Sequence, residues 1–226
     1  MILAPIQPRV LSVRRLPHAA RGVLEAYGAD PSRHTSLGLV TVDQDDPTYV
    51  ALDEATKHAQ VEVVFAKSFY AGSAHASGAL SGEILGVLAA ADPADIDEGL
   101  DAFARCLATD ACFFRANDLG TIAVFPHVIS SLGRYLSAQA GLSPGEPMAY
   151  LVAPPMEATI GLDAALKAAD VRVAKIFPPP TETNFAAAWL SGDLPACEAA
   201  AVAFAEAVVD VARRPEDRPP RIVRRR

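Results

Sequence analysis

Motifs that carry chemistry are missing from this chain, and each absence closes a class of function. There is no GxGxxG, no phosphate-cradling GxxxxGK and no HExxH. Dinucleotide binding, P-loop chemistry and zinc proteolysis therefore lose their usual signatures, and no enzyme activity is expected. Cysteine is scarce: Cys106, Cys112 and Cys197 are odd in number and form no CxxC pair. They read as small buried hydrophobes of a reducing compartment, not as a disulfide framework. Long uncharged apolar runs are lacking too. The most apolar late stretch, AAAVAFAEAVVDVA, is interrupted by Glu206 and Asp210, so no membrane partner is expected. MILAPIQPRV has no charged region ahead of an apolar core, so a signal peptide is not expected either. Positive charge is the minority, with a net charge of −7 and a pI near 5.2, which argues against nucleic acid as a partner. The terminal EDRPPRIVRRR runs the other way with five arginines. Residues 214–226 are read as a flexible basic tail.

What the chain does have is repetition. Leu52–Val63 reads LDEATKHAQVEV and Leu162–Val173 reads LDAALKAADVRV, identical at seven of twelve positions at an offset of 110. Pro17-His18 and Pro126-His127 recur at an offset of 109. This spacing is too long for a solenoid unit and fits two fused copies of one small domain, over residues 1–108 and 109–213. Apolar residues make up 51% of the chain and mean hydropathy is +0.20, so some apolar surface is expected to be buried between subunits.

Each half gives the same elements, making an α/β unit. Arg9–Val13 and Thr121–Phe125 read as strands that end at Pro-His, each followed by a helix. Val128, Leu132 and Leu136 mark the second helix by their spacing, and Gly28 the C-terminus of the first. Leu37–Val42 and Ala149–Val152 read as buried strands. Asp53 and Asp163 are placed as N-caps of helices carrying Lys57 and Lys167. Two irregular loops follow, 70–82 and 178–185, and then closing helices introduced by Asp92-Pro93 and Asp193. His18 and His127 are expected to hydrogen-bond at helix starts. Asp43, Asp45 and Asp46 in VDQDDPTY read as a capped turn. A hard-cation site is the alternative, although the Gly and distal Glu of a calcium loop are missing.

Three features give a resemblance to a known family. The two Lys helices look like the Ala-rich helix of the bacterial microcompartment shell domain. The Pro-His pairs look like the end of the strand leading into that domain's next helix. MAYLVAPPMEAT, SLGLVTVDQDDPTYVALDEATK, YAGSAH and PPPTETN are similar to one branch, the L-type shell proteins of ethanolamine-utilization microcompartments. Each Pro-His helix precedes its Lys helix, the order of a circularly permuted domain. The resemblance covers residues 9–213.

It implies an α/β (α+β), ferredoxin-like fold in two tandem permuted domains, with three subunits forming a pseudo-hexameric disc. Such a homotrimer packs edge to edge with other shell proteins in the bacterial cytoplasm, around a gated central pore for small polar metabolites. Lys57 and Lys167 are then tile-edge residues. Ala71, Gly72, Ser73 and His75 form one pore loop, and Pro179, Pro180, Thr181 and Glu182 the other. Asp45, Asp46, Glu83, Phe113 and Thr183 match positions that hold a small amino alcohol between the domains. Arg115 stands where that branch has an aromatic, which brings a guanidinium near the pocket. Three copies of His75 around a three-fold axis make a metal ring by geometry alone, but no carboxylate partner is near in sequence. No metal and no cofactor are expected. The competing reading is an allosteric regulator with small-molecule clefts, which would have no need of paired edge lysines.

Overall fold

Two antiparallel sheets arise from two passes through one element order. The computed structural model describes residues 4–68, 84–179, 181 and 185–216. After a short strand β1 (Ala4–Ile6), the first pass runs β2 (Val10–Leu16), α1 (Arg21–Ala26), β3 (Ser36–Val42), α2 (Asp45–His58), β4 (Glu62–Ser68), β5 (Ile84–Ala90) and α3 (Pro93–Thr109). The short β6 (Phe113–Arg115) introduces the second pass. It comprises β7 (Ala123–Ile129), α4 (Arg134–Ala140), β8 (Met148–Ala153), α5 (Pro155–Ala168), β9 (Arg172–Phe177), β10 (Ala186–Ser191) and α6 (Leu194–Arg213). The sheets have strand orders β2-β3-β5-β4 and β1-β6-β7-β8-β10-β9. Because β1 pairs with β6, residues 4–6 are hydrogen-bonded into the sheet of the second half.

The alternation of side chains along each strand divides the core. In the first sheet, Val40, Val42, Ile84 and Leu88 face α2 and α3, while Leu37, Val87 and Ala89 face α1. Gly38 and Gly86 lie on the helix-facing side, where an added Cβ would sit 2.9 Å from Ile96 and from Leu52 respectively. In the second sheet, Ala149, Leu151, Ala188 and Leu190 face the α5–α6 layer. Phe125, Ile129, Met148, Tyr150, Val152 and Trp189 point the other way and share one continuous core with α2 of the first half. The two halves are thus joined through a common hydrophobic cluster. As expected from sequence, Asp92 caps α3 through Ala94 N (2.8 Å) and Asp193 caps α6 through Ala196 N (2.8 Å).

Several local expectations are corrected. Pro126-His127 lies inside β7 and does not precede a helix. Pro126 is tolerated there because β6 pairs only as far as Val124, so the missing N–H interrupts no ladder on that side. Val128 is consequently a strand residue, and α4 begins only at Arg134. His127 is not at a helix start. It stacks on Phe125 with ring centroids 5.2 Å apart, and burial pushes its pKa down. The true equivalence of the halves is marked by Gly28 and Gly141, left-handed residues ending α1 and α4 at φ 79° and 67°, 113 residues apart. Nor does Asp53 or Asp163 cap its own helix. Both lie in helix interiors, because α2 starts at Asp45 and α5 at Pro155.

Candidate functional site

The interior position of Asp53 gives it a different role. Its Oδ2 accepts the Gly133 N–H at 2.6 Å and its Oδ1 the Leu136 N–H at 2.8 Å. A carboxylate from the first half therefore satisfies the amides that open α4 in the second. Thr56 Oγ1 accepts the Arg134 N–H at 3.0 Å, and the Arg134 guanidinium donates back to the carbonyls of Ala59 and Val61. Lys57 Nζ donates to the Ser131 carbonyl at 3.0 Å and pairs with Glu54. This seam holds α4 against α2 and fixes one wall of a cavity between the halves.

That cavity has a volume of about 270 Å³. Its walls come from the start of α2 (Asp45, Asp46, Tyr49), the end of β4 (Ser68), α4 (Tyr135, Gln139) and the inner face of the second sheet (Tyr150, Lys175, Phe177, Trp189). The first turn of α2 places two carboxylates side by side, where they also complement the helix dipole. Asp45 accepts the Ser68 hydroxyl at 2.8 Å, and Ser68 lies 3.0 Å from the Tyr49 hydroxyl. Asp46 accepts the Tyr150 hydroxyl at 2.6 Å. Burial, then the neighbouring Asp45, holds the Asp46 carboxyl well above the usual carboxylate range. Burial likewise raises the Tyr150 phenol, and lifts Tyr49 to about 12, so both stay protonated donors. Lys175 brings a cation to the same cavity, with its ammonium 4.9 Å from the Phe177 ring centroid and 5.3 Å from that of Trp189.

Of the residues assigned from sequence, Asp45 and Asp46 are brought together in this cavity. Phe113 does not line it but stands behind it, 6.1 Å from the ring of Phe185, which does. Thr181 lines the cavity and donates to the Phe185 carbonyl at 2.9 Å, while Pro179 lies in a separate groove beside α5. Glu83, Thr183, Ala71, Gly72, Ser73, His75, Pro180 and Glu182 fall outside the described residues. Arg115 is not among the residues lining the cavity; its side chain packs over Gly120. Lys57 is occupied at the seam, whereas Lys167 is largely exposed and pairs with Asp163 one turn back. Sequence reasoning missed Tyr49, Ser68, Tyr150, Lys175 and Trp189. The signal for Tyr150 was its place in MAYLVA, where alternation turns it to the face opposite Ala149 and Leu151.

A family model for the "BMC domain" matches residues 36–106. Over 213 residues the chain is 48% identical to the bacterial microcompartment shell protein EutL of Salmonella typhimurium, covering 94% of this chain and 97% of that protein. The chain belongs to the EutL family of bacterial microcompartment shell proteins. Solved EutL structures share the whole architecture. The monoclinic crystal structure of EutL from Clostridium perfringens superposes with a TM-score of 0.91 at 48% identity, covering 96% of this chain and 98% of that one. The ethanolamine utilization protein EutL from Leptotrichia buccalis gives 0.91 at 46% identity, covering 96% and 100%. EutL relatives are shell proteins and not enzymes, and the regulator reading is not favoured. Among the described residues no helix is long and apolar enough to cross a membrane, and no cluster of three metal-ligating side chains occurs.

Proposed function

We propose that this chain is a structural tile of a bacterial microcompartment shell, that three copies form a disc of six domains, and that the cavity between the halves holds a small amino alcohol. The observation that carries the tile reading is the 48% identity to a EutL shell protein across nearly the full length of both chains. Within this reading Lys57 and Lys167 lie at tile edges, and the loops 70–82 and 178–185 border a central pore. Ala71, Gly72, Ser73 and His75 act on one side of that pore, and Pro179, Pro180, Thr181 and Glu182 on the other.

The ligand chemistry follows from the cavity. Two adjacent buried carboxylates favour an ammonium group, which donates charge-assisted hydrogen bonds to them and displaces the proton held on Asp46. Lys175 disfavours a second positive charge in the same space. A ligand with one ammonium and one neutral hydroxyl satisfies both conditions, and ethanolamine is the smallest of that class. Glu83, Phe113 and Thr183 are the remaining residues proposed to contact it. A ligand that binds better to one arrangement of the adjoining loop, which includes Thr181, would shift the pore between its states.

Isothermal titration calorimetry with ethanolamine tests the cavity. Asp45→Asn is expected to weaken binding about tenfold or more, and unchanged affinity would remove the cavity from the account. Electron microscopy of concentrated protein tests the tile: Lys57→Ala combined with Lys167→Ala is expected to abolish ordered sheets while the trimer persists.

A further inference from the structure

One wall of the cavity is a row of three side chains on adjacent strands. Lys175 of β9, Trp189 of β10 and Tyr150 of β8 are direct cross-strand partners, so they share one face of the sheet. Neighbouring strands lie about 4.8 Å apart, which puts the Lys175 and Tyr150 backbones roughly 10 Å from each other. Tyr150 reaches from its end of the row to Asp46, with its hydroxyl 2.6 Å from Oδ1. Lys175 leans inward from the other end and lays its ammonium over the ring of Trp189, 5.3 Å from the centroid. The cavity therefore has two poles, acidic where α2 begins and basic at the edge strand β9.

The basic pole has donors and no acceptor for them. Among the described residues the Lys175 ammonium makes no hydrogen bond and no ion pair, and it rests on the faces of Phe177 and Trp189. The indole N–H of Trp189, a residue 5% exposed, is likewise buried without an acceptor among them. An ammonium in an open cavity is hydrated. A ligand that fills the cavity strips that hydration, and a ring face returns less than the water did. A hydroxyl oxygen offers Lys175 an acceptor but no charge. A carboxylate offers both, and charge-assisted hydrogen bonds are about twice as strong as neutral ones. Charge balance points the same way. Asp46 keeps its proton, so the described walls carry one negative charge, on Asp45, against one positive charge, on Lys175. A ligand of zero net charge with its own charges separated leaves that balance intact.

We propose that the cavity also binds a small amino acid as its zwitterion, with the ammonium at Asp45 and Asp46 and the carboxylate at Lys175. This rests on the reading of the cavity as an ammonium site, adds a second class of ligand to it, and makes Lys175 the residue that selects that class. The amino acid and the amino alcohol share the ammonium end and differ at the other. Ethanolamine is a cation and takes the place of the proton on Asp46. The zwitterion adds no net charge and requires no proton to leave. The volume of about 270 Å³ is ample for either.

Calorimetric titration of the full chain with β-alanine and with ethanolamine tests this, with circular dichroism to verify the folding of each variant. The wild type is expected to bind both, each displacing the other. Lys175→Met keeps an apolar stem over Trp189 and is expected to weaken β-alanine about tenfold or more, while ethanolamine binds as tightly as before or more tightly. Lys175→Arg, which keeps the charge, is expected to retain β-alanine binding. On the wild type the β-alanine enthalpy is expected to be the same in phosphate and in Tris, where that of ethanolamine differs. That comparison stands even if Lys175→Met fails to fold. Ethanolamine binding without β-alanine binding would overturn the amino-acid site and leave the amino-alcohol reading standing. So would β-alanine binding that survives in folded Lys175→Met, or an equal loss of both ligands there. If neither ligand binds the wild type, the ammonium reading of the cavity falls and the amino-acid site with it.

Discussion

The Asp53 carboxylate, at the centre of α2, accepts the Gly133 amide at 2.6 Å and thereby caps a helix belonging to the other half of the chain. Asp53→Ala would strand the amides of Gly133 and Leu136 in a buried site. The expected loss is roughly 2–4 kcal/mol, the cost of leaving two buried donors without acceptors. Urea denaturation measures it. Asp118→Ala, whose side chain is almost fully exposed, is expected to stay within about 0.5 kcal/mol of wild type.

Gly133 and Gly141 flank the same short helix and should respond differently to alanine. At Gly133 the new methyl would meet the Asp53 backbone and Thr56 at 2.5 Å. At Gly141 it would meet nothing within 4 Å, leaving only the strain of a φ of 67°. Gly141→Ala is expected to cost about 1 kcal/mol. Gly133→Ala is expected to cost more, because the seam itself must open. Melting temperatures of the two variants give the comparison.

The raised pKa of Asp46 has a definite sign in stability. Between the ordinary carboxylate value of 3.8 and its raised folded value, the native state holds a proton that the unfolded chain has released. The Asp46 contribution is therefore fully present below pH 3.8 and is lost as pH rises through the folded value. Asp46→Asn is expected to match wild type near pH 4 and to melt higher at pH 7–8. Thermal melts across that range check the sign; a variant less stable at pH 8 would contradict it.

The same proton predicts linkage on binding. If an ammonium replaces it, ethanolamine uptake releases protons, and the apparent enthalpy varies with the ionisation enthalpy of the buffer. Calorimetry in phosphate and in Tris reads this directly. In Asp46→Asn the buffer dependence is expected to vanish.

Much of the fold was legible from sequence because its signals are local. Asp92-Pro93 and Asp193 announce helices whose caps lie within three residues, and the LDxAxK repeat disclosed the duplication. The Pro-His recurrence misled, because a strand edge free of a neighbour accepts proline as readily as a turn does. Asp45 and Asp46 were legible as an acidic cluster, although DDP reads as a capped turn and in the structure opens α2. Their partners were not. Ser68 is 23 residues from Asp45, and Tyr150 is 104 from Asp46. Only the packing of the second sheet on α2 brings them together. Asp53 looked like a cap and is one, for a helix 80 residues away.

The most direct measurement is the native mass of the purified protein. The subunit is 23.8 kDa, so a shell tile of six domains is expected at three times that mass, about 71 kDa, and at higher concentration as ordered sheets. A stable monomer or dimer over the same concentration range would contradict the six-domain disc on which the tile, the pore and the edge lysines depend.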